Sequence, residues 1–466
     1  MRALTPFLLL AGIITVSCGG EALAAAPPPV AFTSADSLHW PPGTVVSRFE
    51  NLEGIILLIV TLDGPAGRDT TGPLALDTGA GYLALDLGLA HVLGIADSAA
   101  SQGEVGLTAS PLPRLSLGDW AMDQLQPVLT VDAEIVRRVS DRPVLGLLGQ
   151  KPLNDRVVWI DYREQVAAFL PGAPSGDVER LATHGRAGTA EVLEESDLPD
   201  TAADQAAVGR SRGRLGLALT PRAVPVRFAL VGDGKILVHG TLSDPRPPRF
   251  SRRLDLLIDT GATKCVLFDD VLSEVVAHAG AWPVLRGISA PTLIGPAEAR
   301  IARVPAAKLE AVGDSLRLGG VEFGIVSGEL GRVLSRVTRR TIHGLIGYSF
   351  LKHYRVAVDY PEQVLWLDPI PGYRDDRPFE YCQVGLQLER QQGAAMVVAV
   401  SADSPAARAG IAPGVELVAV GGAGAHTLDL TTLSRRLEGP PGTVVTLVIR
   451  KDLVERTFRL RRRRLL

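Results

Sequence analysis

One series of motifs occurs twice in this chain, and it constrains the fold more than any other feature. Leu76-Asp77-Thr78-Gly79-Ala80 is matched by Ile258-Asp259-Thr260-Gly261-Ala262. Leu115-Ser116-Leu117-Gly118 is matched by Leu316-Arg317-Leu318-Gly319, and Gly146-Leu147-Leu148-Gly149 by Gly344-Leu345-Ile346-Gly347. Asp161-Tyr162-Arg163-Glu164-Gln165-Val166 stands as far beyond Gly149 as Asp359-Tyr360-Pro361-Glu362-Gln363-Val364 stands beyond Gly347. A period this long, met twice, marks a duplicated domain rather than a solenoid repeat. The second copy carries extra residues in its middle, so its loops are expected to be longer.

Each copy reads as strand-rich. The runs 55–62, 236–242, 157–160 and 356–358 are short and apolar, with Gly, Pro and Asp between them. Residues 171–212 differ: Pro, Gly, Ala, Asp and Glu dominate and large apolar residues are few. They read as an inter-lobe linker, part of it open to helix. The last segment starts near Pro378, with strands expected at 417–420 and 444–450 and a helix at 428–437. The expected organisation is a first lobe over 40–172, a linker over 173–212, a second lobe over 213–371 and a C-terminal domain over 376–462. Cutting after Asp375 is expected to leave both lobes folded, and Arg461 to Arg464 read as a solvated chain end.

The N-terminus reads as an export signal over 1–24. Met1 and Arg2 start it, an apolar stretch follows, and Ala22-Leu23-Ala24 offers a small-x-small cleavage site. Thr15-Val16-Ser17-Cys18-Gly19 is an imperfect lipobox, so cleavage is read ahead of lipid attachment at Cys18. The mature chain would be periplasmic or envelope-associated, with no later apolar run long enough to span a bilayer. The formal net charge of -3 argues against nucleic acid as a partner. The eight His are scattered and no HExxH or CxxC spacing occurs, so no metal site is expected, nor any organic cofactor. Cys265 and Cys382 fall in different expected domains and read best as small buried hydrophobes.

A lone Asp-Thr-Gly is turn-like. Here it recurs after an apolar strand and before Ala, with an apolar-apolar-Gly downstream each time. Over roughly residues 45–371 this combination resembles the retropepsin-like aspartic peptidases, which implies two β-barrel lobes with one loop each. By that resemblance Asp77 and Asp259 face each other and share one proton, since two close carboxylates cannot both ionise. They would activate a water for attack on a peptide carbonyl, while Thr78 and Thr260 cross-link the loops. Gly79 and Gly261 let the backbone turn tightly, and 146–149 and 344–347 support the loops from beneath. Leu85 and Leu267 read as core. Residues 102–113 and 287–299 are the candidate flaps. Pepsin-like enzymes usually carry Ser or Thr where Ala80 and Ala262 stand. Without that hydroxyl the pair should protonate at higher pH, which moves the working range toward neutral.

Gly385-Leu386-Gln387-Leu388 and Ser404-Pro405-Ala406-Ala407-Arg408-Ala409-Gly410 resemble bacterial PDZ domains. The resemblance makes 385–388 a carboxylate-binding loop, beside which a peptide strand would add; the alternative is a domain that only packs on the lobes. The expected function is an exported aspartic endopeptidase acting on polypeptides. The rivals are a catalytically silent peptide-binding scaffold of the envelope and an enzyme assembled from two chains.

Overall fold

The computed structural model describes residues 38–64, 67, 69–94, 106–108, 114–122, 128–172, 202–244, 249–268, 282–292, 295–304, 306–317, 322–326, 328–375 and 377–466. The expected export signal with Cys18, the linker over 173–201 and most of the first candidate flap lie outside the described residues. Among the described residues no helix is long and apolar enough to cross a membrane.

The chain is mainly β, and the repeat reappears in the strand register. Thr70–Leu76 pairs in parallel with Gly146–Leu148, with Leu74 opposite Gly146. Phe250–Ile258 pairs in parallel with Gly344–Ile346, with Leu256 opposite Gly344. An antiparallel strand then crosses each Gly-rich segment: Leu85 faces Gly146 and Leu267 faces Gly344. The crossing explains the two glycines. A Cβ on Gly146 would stand 2.0 Å from the Ala84 carbonyl oxygen, and one on Gly344 2.1 Å from that of Val266. Leu85 and Leu267 are fully buried. The expected runs become strands Ile55–Leu62, Lys235–Asp244, Arg156–Asp161 and Tyr354–Asp359.

A shared antiparallel sheet joins the halves, in the order Val224–Arg227, Val364–Pro369, Tyr354–Asp359, Arg156–Asp161, Val166–Pro171, Val45–Leu52. At its middle Trp159 opposes Ala357, which is its own equivalent in the repeat. A local two-fold axis therefore passes between these residues. Trp159 and Trp366 are buried on one face beneath helix Ala202–Leu215. Residues 202–212, expected as linker, are thus a packed element. Ala207, Ser211 and Leu215 recur at helical spacing and are buried, and Ser211 Oγ accepts from Trp366 Nε1 at 2.9 Å. Small residues let the helix lie close to the sheet, and their weak hydrophobicity conceals that face in the sequence.

The C-terminal domain has its own core around Val384, Leu417, Leu433 and Leu447. Its strands run in the order Leu386–Gln391, Ala394–Val400, Glu416–Val420, Val444–Lys451, Val454–Arg461. Helix Leu430–Leu437 starts at Asp429, whose carboxylate accepts from Thr432 N at 2.6 Å. The expectation of a solvated chain end is corrected. Arg463–Arg464 pairs with Cys382–Gln383, and Leu466 and Tyr381 join the second half's core beside Val266 and Leu345. A cut after Asp375 would strip both residues from that core. Leu-Leu after a run of Arg carries no periodicity that foretells such docking.

Buried ion pairs reinforce this seam. Lys264 pairs closely with Glu380, Arg377 with Glu53, and Lys352 with Asp375 at 2.8 Å. Burial raises the Glu380 carboxyl, but Lys264, Arg377 and Lys352 outweigh it and hold it at about 2. Lys264→Met leaves Glu380 charged and buried, and is expected to cost about 3–5 kcal/mol in urea denaturation. Lys264→Met/Glu380→Leu should recover most of that loss; no recovery would show that the pair's neighbours, not the pair, hold the seam.

Candidate active site

Both Asp-Thr-Gly loops leave the end of a strand at the two-fold axis, and each is tied to its Gly-rich support. Asp77 N donates to Leu148 O and Asp259 N to Ile346 O, each at 3.0 Å. One residue on, the loops exchange bonds across the axis. Thr78 N donates to Thr260 Oγ1 at 3.1 Å, and Thr260 N to Thr78 Oγ1 at 3.0 Å. Each hydroxyl then donates beyond the axis, Thr78 Oγ1 to Ile258 O at 3.1 Å and Thr260 Oγ1 to Leu76 O at 3.0 Å. All of these groups are buried, so every bond satisfies a donor or acceptor that water cannot reach.

The carboxyls are set by the following amides. Asp77 Oδ1 accepts from Gly79 N at 2.8 Å and Ala80 N at 3.1 Å. Asp259 Oδ1 accepts from Gly261 N at 2.8 Å and is held down further by the Ala262 amide. Each Oδ2 is buried and has no hydrogen-bond partner in the structure. A Cβ on Gly79 would lie 2.6 Å from Asp259 Oδ2, and one on Gly261 2.8 Å from Asp77 Cγ. Glycine is thus required because each loop's backbone lies against the other loop's carboxyl. Both aspartates are wholly buried.

Electrostatics favour a proton on the pair. Burial raises Asp77 well above the ordinary carboxylate range, and the neighbouring Asp259 charge adds to it. Burial also raises Asp259, against the amides of Gly261 and Ala262. Lys235 pulls both the other way.

Several neighbours had escaped the sequence reading. Lys235 is buried and pairs with Asp233 at 2.6 Å; the signal was a lysine heading the apolar run 236–242, where the first copy has Ile55. Asp233 packs against Gly81, where a Cβ would lie 2.3 Å from its Oδ2. Gln150 Nε2 donates to the Thr78 carbonyl, while its repeat equivalent Tyr348 accepts at its hydroxyl from Asn51 Nδ2 at 3.2 Å. Of the candidate flaps, 287–299 falls within the hairpin of Val284–Thr292 and Gly295–Arg303. Gly385, Leu386, Gln387 and Leu388 belong to the C-terminal domain. Gly385 turns at φ +90° with its carbonyl accepting from Ser401 N at 2.8 Å, and the other three enter strand Leu386–Gln391. Cys265 and Cys382 are free and buried.

A family model described as PDZ domain matches residues 396–451, so a PDZ domain is present there. No curated protein matches the chain. Among solved structures, a photosystem II D1 C-terminal processing protease is 25% identical over 18% of this chain and 23% of its own, with a TM-score of 0.17. This chain therefore spans about a quarter of that protein. Conglutin gamma, a basic 7S globulin from lupine seeds, is 12% identical over 70% of this chain and 95% of its own, with a TM-score of 0.37. An aspartic proteinase from Irpex lacteus is 10% identical over 72% and 100%, with a TM-score of 0.36. Likenesses of this size carry no inference about the lobes.

A carboxyl whose proton affinity rises on folding binds more protons folded than unfolded. Its contribution to stability is full below the unfolded value, about 3.9 for Asp, and is lost as pH rises through the folded value. Asp77→Asn removes one such group while keeping an acceptor at Oδ1. The variant is expected to be more stable than wild type at pH 7 and to lose that advantage by pH 4, read by denaturant titration at both. A less stable variant at pH 7 would contradict the raised values.

Proposed function

We propose that the chain is an aspartic endopeptidase, in which Asp77 and Asp259 share a proton across the axis of two retropepsin-like lobes. The observation that carries this reading is the reciprocal loop geometry. Each Oδ1 is occupied by its own loop's amides, which leaves the Oδ2 atoms to act together on one substrate.

A water between the Oδ2 atoms loses a proton to the ionised carboxylate as its oxygen attacks the peptide carbonyl carbon. The protonated partner gives its proton to the carbonyl oxygen. Collapse of the tetrahedral intermediate breaks the C–N bond, one proton moves to the leaving nitrogen, and an acid and an amine depart. The pair ends with one proton, as it began. Thr78 and Thr260 act as positioning residues, since they hold the two backbones at one separation. Because both carboxyls are wholly buried, their cover must open before a peptide reaches them. The lobes are assigned to 40–172 and 213–371, and the PDZ domain is proposed to bind substrate or partner peptides. Export to the periplasm or envelope, with cleavage after Ala24 or lipid attachment at Cys18, belongs to the same proposal.

A silent scaffold would be favoured by carboxyls held apart or neutralised by a cation. Here Lys235 is paired with Asp233 instead, and each loop's glycine lies against the other loop's carboxyl, which supports the peptidase reading. The test is cleavage of a peptide library by wild type, Asp77→Asn and Asp259→Asn, each shown to be folded. Either substitution is expected to lower turnover by about a thousandfold or more, because the two act as one unit. Appreciable turnover in either folded variant would remove the shared-pair mechanism. Ala80→Ser/Ala262→Ser adds hydroxyls that can bond the ionised form and lower its pKa. The acid limb of its pH–rate profile is expected to move to lower pH; an unchanged or raised limb would contradict the role assigned to Ala80 and Ala262.

A further inference from the structure

The PDZ strand expected to receive a peptide, Leu386–Gln391, pairs along one edge with Ala394–Val400. Beside it stands the domain's own helix, Leu430–Leu437, and also a helix from the first half of the chain, Glu134–Ser140. Two side chains of the strand bind the two halves. The Gln387 carboxamide grips the Ser289 backbone: Ser289 N donates to Gln387 Oε1 at 3.0 Å and Gln387 Nε2 to Ser289 O at 2.7 Å. That donor–acceptor pair copies what a neighbouring strand would make. Arg390 reaches Asp141, Nη2 to Oδ2 at 3.0 Å, while also donating to the carbonyl of Leu428 at 2.6 Å. Asp141 is the left-handed cap of helix Glu134–Ser140.

A third contact closes the seam. Ala402 N donates to Arg286 O at 2.9 Å, and a Cβ on Gly287 would lie 2.8 Å from Val400 O. Side chains alternate between the faces of a strand, yet Leu386, Gln387 and Leu388 are all buried, Gln387 at 6% exposure. Both faces of the strand are therefore covered at the start of the peptide-receiving edge.

We infer that this edge is occupied in cis by both halves of the chain, and that a peptide with a free C-terminal carboxylate binds only by displacing them. Edge addition needs the backbone of Leu386–Gln391 open to a new strand, and the helix capped by Asp141 stands against it. The displaced pieces adjoin the carboxyl pair. The chain runs from Asp141 into Gly146–Leu148, whose Leu148 carbonyl holds Asp77 N, and Ser289 lies in the hairpin proposed as a flap. Peptide binding and docking are thus linked reciprocally. The consequence for turnover rests on the proposed peptidase reading, whereas the occupancy does not.

The test uses the full chain in an Asp77→Asn background, so that binding is read without cleavage. Asp141→Gly removes the ion pair while suiting the left-handed cap, and Asp141→Asn, which also tolerates that conformation, serves as a second variant. The probe is an array of nonapeptides with free C-termini, each repeated with an amidated end. Free-carboxylate peptides are expected to bind both variants about threefold tighter than the parent, from the loss of a partly exposed pair. Their addition should raise hydrogen exchange in 134–140 and 284–292. Equal affinity in parent and variants, binding without increased exchange, or no carboxylate-dependent binding would each overturn the inference. A chain that cleaves nothing can still give the expected result, so failure here is distinct from failure of the peptidase reading.

Discussion

The buried exchange between Thr78 and Thr260 holds the two halves at one separation. Each hydroxyl accepts the other loop's amide and donates to a carbonyl beyond the axis. Nothing in that arrangement can be lost singly, because water cannot replace a partner there. The shared sheet supports it from below, with Trp159 and Ala357 opposed on the axis. The glycines at 79 and 261 then allow each carboxyl to lie against the other loop's backbone. The proton that we propose Asp77 and Asp259 share would follow from this spacing and from burial, and neither loop would create it alone.

The two halves are alike in register but not in chemistry. Lys235 stands where the first copy has Ile55, and Tyr348 where it has Gln150. A buried cation beside one loop and an amide beneath the other make the two carboxyls inequivalent, although their own loops match. Such inequivalence suits a pair in which one member stays protonated while its partner ionises.

Much of this was legible because the repeat carries its constraints in sequence. Gly146 and Gly344 mark crossings that no side chain permits, and Gly79 and Gly261 of the Asp-Thr-Gly loops mark the close approach of the other loop's carboxyl. In the C-terminal domain the motif 404–410 and the helix expected at 428–437 were legible, and the structure adds their caps, Ser404 and Asp429. What escaped has no local signature. Helix Ala202–Leu215 packs through Ala207 and Ser211, residues that also suit a linker. Leu466 enters a core far away in sequence, and Lys264–Glu380 joins residues on opposite sides of the expected boundary. Lys235 was passed over because it heads an apolar run without interrupting its pattern.

The C-terminal domain is built into this framework through Tyr381, Leu466 and the ion pairs at the seam, so it is not a freely hinged appendage. Its strand Leu386–Gln391 touches both halves, which places any opening of the cover and any docking of a peptide in one mechanical system. At the centre of that system is the claim that Asp77 and Asp259 titrate as a pair. The most direct measurement is a carboxyl carbon NMR titration of the full chain with labelled aspartate, assigned through Asp77→Asn and Asp259→Asn. Two coupled steps are expected, one well above the ordinary aspartate range, each substitution altering the remaining partner's step. Two independent titrations near the ordinary value, unaffected by each other's substitution, would contradict the account.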